Sequence, residues 1–319
     1  MKKNTLNKAD IAALLLENAV SIILTAFVIF MIFYRPSFSS WANITAIIND
    51  CCMYGITALG MTTVILCGEI DLSVSSIYAW STCLFVILCN SMNVFAAAAI
   101  TIATGIVWGI LNGLLIAFLR MPAFVATLGS MYTIKGLAYY ITEQKPVSTG
   151  NEVLAAIGKI NVADISIVPF VFVAVLLILF WFMKYTKAGR AIYATGGNYE
   201  VARLSGINVK ASKIIVFIFS AICATLSGLM YCTRVYSGAA TYGADLTTWA
   251  VAAAVIGGTS MSGGYGKVPR TIIGVLLMAI LFNALTLLGV DGSWQRFIRG
   301  AVMVVVIMFD AVSKMKKVK

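Results

Sequence analysis

Residues 94–119 read VFAAAAITIATGIVWGILNGLLIAFL, a run without a single charged side chain. A helix needs about 20 residues to cross the roughly 30 Å hydrocarbon core of a bilayer, and this run is long enough to do so. Gly105, Gly109 and Gly113 stand four apart in it and form one small face, which lets a neighbouring helix approach closely. The stretch is therefore predicted to be a membrane-spanning helix that packs through its glycines.

Similar segments recur along the chain, which has 319 residues, 61% of them hydrophobic and 11% charged. An ordinary soluble domain is about 25% charged, so this chain has too few polar side chains to cover its outside. Ten spans are predicted: Leu14–Phe33, Ile44–Cys67, Leu72–Leu88, Val94–Leu119, Pro122–Ile141, Ile165–Met183, Ile214–Tyr231, Leu246–Met261, Ile272–Val290 and Phe297–Val312. The fold is thus predicted to be an all-α integral membrane protein with about ten transmembrane helices in a single domain, 1–319. The third, eighth and tenth spans are short, which predicts short or broken helices near 68–73 and 235–260, and nine spans are also compatible with the pattern.

The basic residues indicate the orientation of these spans, because Lys and Arg collect on the cytoplasmic side of a membrane. With the N-terminus inside, 16 of the 23 basic residues fall in the cytoplasm, clustered between 184 and 213 and near the two termini. The remaining seven are spread over outer loops and helix ends. Both termini are therefore predicted to be cytoplasmic, and the 143–164 loop is predicted to lie outside. The net charge of +11 is explained by this topology, so no nucleic-acid partner is expected.

Several kinds of chemistry lack their usual residues. The chain has no histidine, which removes the commonest general base and zinc ligand. Its seven cysteines lie in apolar segments and never form CxxC, so they are interpreted as packing residues and no metal site is expected. The glycine-rich stretch 263–267 is not a P-loop, because that motif would need glycine at Met261 and Ser or Thr at Val268. No catalytic residue and no cofactor are predicted in this chain, and any ATP must be handled by another polypeptide.

The inner loop, 184–213, contains one candidate two-turn helix. Asn198 can cap its start, and Gly206 can end it in the left-handed conformation. A helix this short is not stable alone and needs a surface to dock on. The residues leave open whether that surface is the lipid headgroups or a cytoplasmic partner.

Polar residues inside the spans are candidates for a solute path. Glu69 and Asp71 interrupt an apolar run, and an ionisable residue at membrane depth is a functional-site hypothesis by default. The alternative is that Asp71 or Ser73 only caps the next helix at a break. Asn49, Asp50, Asn112 and Asn283 either bond across helices or face a polar route. The predicted substrate path comprises Asn49, Glu69, Asp71, Ser73, Asn112 and Asn283.

Four stretches in order resemble the permease subunits of ribose-type ABC sugar importers, a bacterial family of binding-protein-dependent transporters. They read GEIDLSVSSIYA (68–79), MPAFVATLGSMYTIKGLAYYIT (121–142), GRAIYATGGNYEVARLSGINV (189–209) and AVAAAVIGGTSMSGGYGKV (250–268). The resemblance runs from about Phe38 to Asp310. It departs from the family at Glu69, where a second glycine is usual, and at Thr247 and Trp249, near which acidic residues are common.

This resemblance implies a multi-pass subunit of the bacterial cytoplasmic membrane that works with several partners. These are ATPase subunits on the cytoplasmic side, a periplasmic or lipid-anchored sugar-binding protein outside, a second permease copy or homologue, and membrane lipids. ATP would bind the ATPase, and the cargo would be a monosaccharide or a related small polyol. The resemblance also implies that the inner loop meets the ATPase through Gly196, Gly197, Asn198, Glu200, Arg203, Leu204 and Gly206.

The alternative function is an ion-coupled secondary transporter of small solutes, in which Glu69 and Asp71 would bind protons or sodium. An intramembrane enzyme is disfavoured because the chain lacks a histidine-based centre.

Overall fold

A computed structural model of the chain describes residues 19–162 and 165–317, and almost all of its regular structure is helical. The α-helices of this described part are α1 (Ala19–Tyr34), α2 (Trp41–Leu66), α3 (Val74–Cys89), α4 (Val94–Ala117), α5 (Ala123–Ile141), α6 (Glu152–Gly158), α7 (Val168–Tyr185), α8 (Lys187–Gly197), α9 (Tyr199–Leu204), α10 (Val209–Val235), α11 (Leu246–Ile256), α12 (Thr271–Leu287) and α13 (Gly292–Lys317). Short 3₁₀ helices cover Pro36–Ser39 and Val268–Arg270. Four two-residue strands are β1 (Val147–Ser148), β2 (Asn161–Val162), β3 (Ile165–Ser166) and β4 (Ser237–Gly238). The chain is therefore an all-α membrane protein, as predicted.

Five helical segments of the described residues are long and apolar enough to cross a membrane: Trp41–Leu66, Val94–Ala117, Val168–Tyr185, Val209–Val235 and Val268–Leu287. Shorter apolar helices are Thr25–Tyr34, Val74–Cys89 and Leu246–Ile256. Helices α5 and α13 coincide with predicted spans but lie outside both groups. The count of ten spans and their orientation stay predictions, and residues 14–18 of the first predicted span lie outside the described residues.

The predicted breaks are confirmed. Helix α2 ends at Leu66 and α3 begins only at Val74, so an irregular segment separates them. The eighth predicted span is shorter than expected, because α11 ends at Ile256. Gly258 then takes a φ of +90°, a left-handed conformation that turns the chain out of the helix.

The centre of the molecule is a group of closely packed helices around α2 and α10, with α3, α4 and α11 against them. The glycine face of α4 is responsible for one of these contacts, as predicted. A Cβ on Gly109 would lie 2.8 Å from Ile218 Cα, and one on Gly113 would lie 2.7 Å from Ile214 Cα, both on α10. Small residues thus allow the two backbones to approach.

The loops gather at two ends of this helix group. Residues 66–73, 118–122, 184–213 and 257–270 form one end, here called the basic end because many Lys and Arg residues lie there. At the opposite end, β1 pairs antiparallel with β4, with Val147 opposite Gly238, and β2 pairs with β3. The 143–164 loop is therefore held by strand pairing as well as by helix α6.

The inner loop contains two helices where the sequence predicts one. The additional helix, α8, begins after Thr186, whose side chain accepts a hydrogen bond from Gly189 N at 3.0 Å. Gly189 lowers helix propensity, but a Cβ there would lie 2.4 Å from Phe182 O, so the position needs glycine for close packing on α7. Tertiary packing overrides propensity here.

Candidate functional site

Helix α9 at the basic end is fixed at both ends by the two residues that the sequence singles out. The Asn198 side chain accepts a hydrogen bond from Val201 N at 3.0 Å, which satisfies a free donor of the first turn. Gly206 has a φ of +79°, and its N–H donates to Arg203 O while Ile207 N donates to Ala202 O, each at 3.1 Å. This is the Schellman arrangement, so both capping predictions are confirmed.

The outer face of α9 is apolar and uncovered. Leu204 is 80% exposed and Val201 is 58% exposed. Ala202, on the inner side, is buried. Glu200 and Arg203 form an ion pair at 2.8 Å, but both side chains are more than half exposed, so the pair adds little stability. The helix thus exposes two large apolar side chains at the surface of the basic end.

Three backbone segments meet at the end of α8, just before α9 in the chain, in what we call the glycine junction: Leu66–Gly68, Gly196–Gly197 and Gly263–Gly264. Gly264 N donates to Leu66 O at 2.9 Å. A Cβ on Gly196 would lie 1.9 Å from Leu66 O, and one on Gly264 would lie 2.5 Å from Gly197 Cα. No side chain fits between these backbones, so the end of α8, the end of α2 and the loop after α11 are in direct contact.

Glu69 lies beside this junction and is paired. Its carboxylate is 2.5 Å from Lys213 Nζ, and both side chains are largely buried. The pair lines a cleft of about 370 Å³, here called the Glu69 cleft, together with Arg120, Tyr199, Glu200, Arg203 and Lys210 among others. Glu69 therefore belongs to the surroundings of α9.

Asp71 is wholly buried and lies at the centre of a hydrogen-bonded chain. Its carboxylate accepts from Ser73 N at 2.9 Å, from Ser73 Oγ at 2.5 Å and from Ser220 Oγ at 2.8 Å. Asn112 Nδ2 donates to Ser73 Oγ at 2.9 Å, and Asn112 Oδ1 accepts from Ser130 Oγ at 2.5 Å. This chain, here called the Asp71 network, joins α3, α4, α5 and α10 to the break after α2. Ser73 occupies the N-cap position of α3 but makes no side-chain capping bond.

A second cleft, of about 350 Å³, opens at the opposite end and is here called the Asp245 cleft. Asp245 and Arg299 line it and form an ion pair at 2.8 Å, and Asp50, which also lines it, pairs with Arg234 at 2.9 Å. Its other lining residues include Tyr54, Trp249, Phe282 and Asn283. The Tyr54 and Trp249 ring centroids are 5.4 Å apart, and the Arg299 guanidinium lies 4.5 Å from the Phe282 centroid.

The arrangement of the Asp245 cleft suits a small neutral solute. Each carboxylate has an arginine partner, so the walls carry hydrogen-bonding capacity without a net charge. Aromatic rings supply flat apolar surface beside it. Clefts of this size with a few converging polar groups are typical of small-molecule sites.

Comparison with known proteins decides the family. A family model described as the permease component of branched-chain amino acid transport systems matches residues 43–307. The chain is 33% identical to the ribose import permease protein RbsC of Haemophilus influenzae, over 97% of this chain and 98% of the relative. It is 34% identical to RbsC of Escherichia coli K12, over 93% and 94%, and 35% identical to RbsC of Bacillus subtilis, over 89% of each. The chain belongs to the ribose-type family of ABC permeases.

Membership in this family favours the importer prediction over the ion-coupled alternative. The family is a transport subunit and not itself an enzyme. Related permeases named for galactose and arabinose transport also match, at 29% and 30% identity. No solved structure matches the chain.

Of the predicted path residues, only Asn283 lines the Asp245 cleft of this permease, where it exchanges amide hydrogen bonds with Asn43. Asn49 turns away and accepts a hydrogen bond from Ser166 Oγ on β3. Glu69 lies at the basic end, and Asp71, Ser73 and Asn112 are in the buried network. The structure therefore brings three of the six together and separates the other three.

The sequence-based selection of path residues includes none of the charged residues at the Asp245 cleft. Arg234 and Arg299 are among the seven basic residues that the predicted topology assigns to the outside. Because Lys and Arg are expected mainly on the cytoplasmic side, their outside position is the signal that could have found them. The sequence singles out Asp50 only as a polar position inside a span, like Asn49 before it. Nothing in the sequence indicates that Asp245 pairs with Arg299.

All seven cysteines of the permease are buried and free. Among the described residues, no group of three or more His, Cys, Asp or Glu side chains is placed to hold a metal ion.

Proposed function

We propose that this permease is the membrane-spanning subunit of an ATP-driven importer that passes a monosaccharide or a related small polyol. The chain, 1–319, acts as one transmembrane domain in the bacterial cytoplasmic membrane. A secreted or lipid-anchored binding protein delivers the sugar, and separate ATPase subunits on the cytoplasmic side hydrolyse ATP. A second permease, identical or homologous, completes the path.

The single observation that carries this proposal is the Asp245 cleft. A neutral polyol offers hydroxyl groups to the paired carboxylate and guanidinium groups and to the Asn283 amide, while its C–H faces pack on the aromatic rings. Because both carboxylates already have cationic partners, binding is weak enough for the sugar to leave again, which a transport path requires.

The orientation follows from the charge distribution. The basic end lies in the cytoplasm, with both termini, and the Asp245 cleft opens toward the side from which the sugar arrives. The 143–164 loop is then external.

Coupling to ATP takes place at α9. Its exposed Leu204 and Val201 are the apolar surface that an ATPase cleft would cover, and the glycine junction connects this helix to the break after α2. ATP binding changes transport only insofar as the ATPase binds two states of the permease differently. A helix held by two caps and by backbone contacts moves as a unit, so it can transmit that difference.

The test is ATP-driven uptake of labelled ribose into proteoliposomes that contain the permease, its ATPase and its binding protein. Asp245→Asn removes the partner of Arg299, a largely buried cation, and we expect uptake to fall about tenfold, the equivalent of about 1.4 kcal/mol. Glu152→Gln removes an exposed carboxylate at the same end, outside the cleft, and should leave uptake unchanged.

The two parts of the proposal fail separately. If Asp245→Asn takes up ribose at the parental rate, the Asp245 cleft is not part of the path. If the parent complex takes up ribose, galactose and arabinose no faster with ATP than without it, the importer assignment itself is wrong.

A further inference from the structure

A further cleft at the basic end is lined by three cations and no carboxylate. Its volume is about 460 Å³, and Lys184, Arg190 and Lys267 line it, with Phe180, Met183, Tyr193, Gly266, Val268 and Pro269. We call it the Lys267 cleft. The Glu69 cleft, by contrast, contains two glutamates, Glu69 and Glu200, which offset part of the charge of its lysines and arginines.

The three cations have no carboxylate partner within ion-pair distance among the residues that the structure describes. Lys184 Nζ lies 5.2 Å from the Phe180 ring centroid and 5.0 Å from that of Tyr185, so its neighbours are π faces. The Arg190 guanidinium donates one long hydrogen bond, of 3.5 Å, to Tyr185 O. Three like charges around one cavity repel each other, and an anion in the cavity would relieve this repulsion.

The cleft adjoins the lipid-facing surface of α7. Ile178, Trp181 and Tyr185 on this helix are each more than half exposed. Tryptophan and tyrosine concentrate at the level of the lipid headgroups in membrane proteins, and here they stand at the end of α7 where the cations begin. The apolar face and the charged cavity are continuous.

We propose that the Lys267 cleft binds the headgroup of an anionic phospholipid. The phosphate lies among Lys184, Arg190 and Lys267, and the acyl chains follow the exposed face of α7. An acidic segment of a soluble protein would satisfy the charges equally well, but it would leave the adjoining apolar face without an occupant.

The bound headgroup bridges two elements that the protein already joins. Tyr193 on α8 donates a hydrogen bond to Gly266 O at 3.1 Å, across the same cavity. An anion between Arg190 on α8 and Lys267 on the glycine-rich loop strengthens that contact. Since α8 leads directly into α9, the lipid supports the helix that couples to ATP, a consequence that rests on the proposed function.

The binding itself is tested without transport. The full chain is reconstituted in phosphatidylcholine vesicles with increasing brominated phosphatidylglycerol, and tryptophan quenching is compared between the parent and Trp181→Phe to isolate the signal of Trp181. We expect Trp181 to be quenched at a lower fraction of brominated phosphatidylglycerol than of brominated phosphatidylcholine. Arg190→Gln with Lys267→Gln should lower this preference about fivefold for each cation removed.

The matched control is Arg120→Gln with Lys210→Gln, which removes the same charge from the Glu69 cleft and should keep the preference near the parental value. Equal quenching by the two lipids in the parent overturns the proposal, and so does an equal loss in both double variants.

If inorganic phosphate at millimolar concentration abolishes the preference for brominated phosphatidylglycerol, the occupant is a soluble anion. If Arg190→Gln with Lys267→Gln keeps the lipid preference but no longer binds the ATPase, the cleft is a site for the protein partner.

Discussion

At the scale of single residues, Gly206 offers the clearest test of coupling. A Cβ there would contact nothing within 4 Å, so the only cost of a substitution is the positive φ. That cost is about 1–2 kcal/mol for most residues, higher for a β-branched one, and lower for asparagine. We expect Gly206→Val to displace α9 and abolish substrate-stimulated ATP hydrolysis by the complex, while the protein stays in the membrane. Gly206→Asn should retain most of the stimulation.

The comparison of these two variants separates conformation from contact. Both add a side chain of similar size in open space, so equal loss of stimulation would indicate that the added bulk blocks docking. Parental ATP hydrolysis and uptake by Gly206→Val would mean that this loop is not the coupling element.

The sequence identifies Asn198 and Gly206 correctly because a cap depends on neighbours in the chain. It cannot separate the roles of Glu69 and Asp71, which are two residues apart. Asp71 can stay buried because Ser220, 149 positions away, donates to it, and Glu69 is paired because Lys213 lies beside it. Such partners are fixed by tertiary packing.

At the scale of elements, the glycine junction predicts different effects for substitutions at two adjacent residues. Gly196→Ala would place a Cβ 1.9 Å from Leu66 O, whereas Gly197→Ala meets nothing within 4 Å. Both residues end α8, so the change in helix propensity is the same. We expect Gly196→Ala to lower the midpoint of thermal unfolding in detergent and to uncouple ATP hydrolysis from uptake. Gly197→Ala should match the parent in both measurements, and equal behaviour of the two variants would contradict the junction.

Elements are well predicted where the apolar pattern is long, as for α2, α4, α7 and α10. The prediction fails at α8, because glycine has a low helix propensity and the close backbone contacts of its glycines form only in the folded protein. It also gives no sign of the β1–β4 pair, because two-residue strands carry too few side chains for an alternating pattern.

At the scale of the whole molecule, the orientation can be measured directly. The seven cysteines are buried, so they can be replaced to give a thiol-free background. We expect Lys187→Cys to resist a membrane-impermeant maleimide added to sealed cells, and Glu152→Cys to react with it. Both side chains are exposed in the structure, so access and not burial decides the result. If Lys187→Cys is labelled from outside, the predicted orientation is wrong.

Composition and charge are enough to predict a multi-pass protein, because both reflect the lipid environment and not any particular contact. Composition and overall charge do not predict the Asp245 cleft. Arg234 and Arg299 are exceptions to the predicted cytoplasmic excess of positive charge, and their carboxylate partners are known only from the structure.

The pairing of β1 with β4 has a consequence for the order in which this protein is made. Val147 leaves the ribosome long before Gly238, and at roughly 5–20 residues per second the intervening chain takes on the order of ten seconds to synthesise. During that interval β1 has no strand partner, and β4 is synthesised only after α10. The 143–164 loop is thus completed late in biogenesis, and a truncated chain that stops within α10 would leave β1 unpaired and open to proteases.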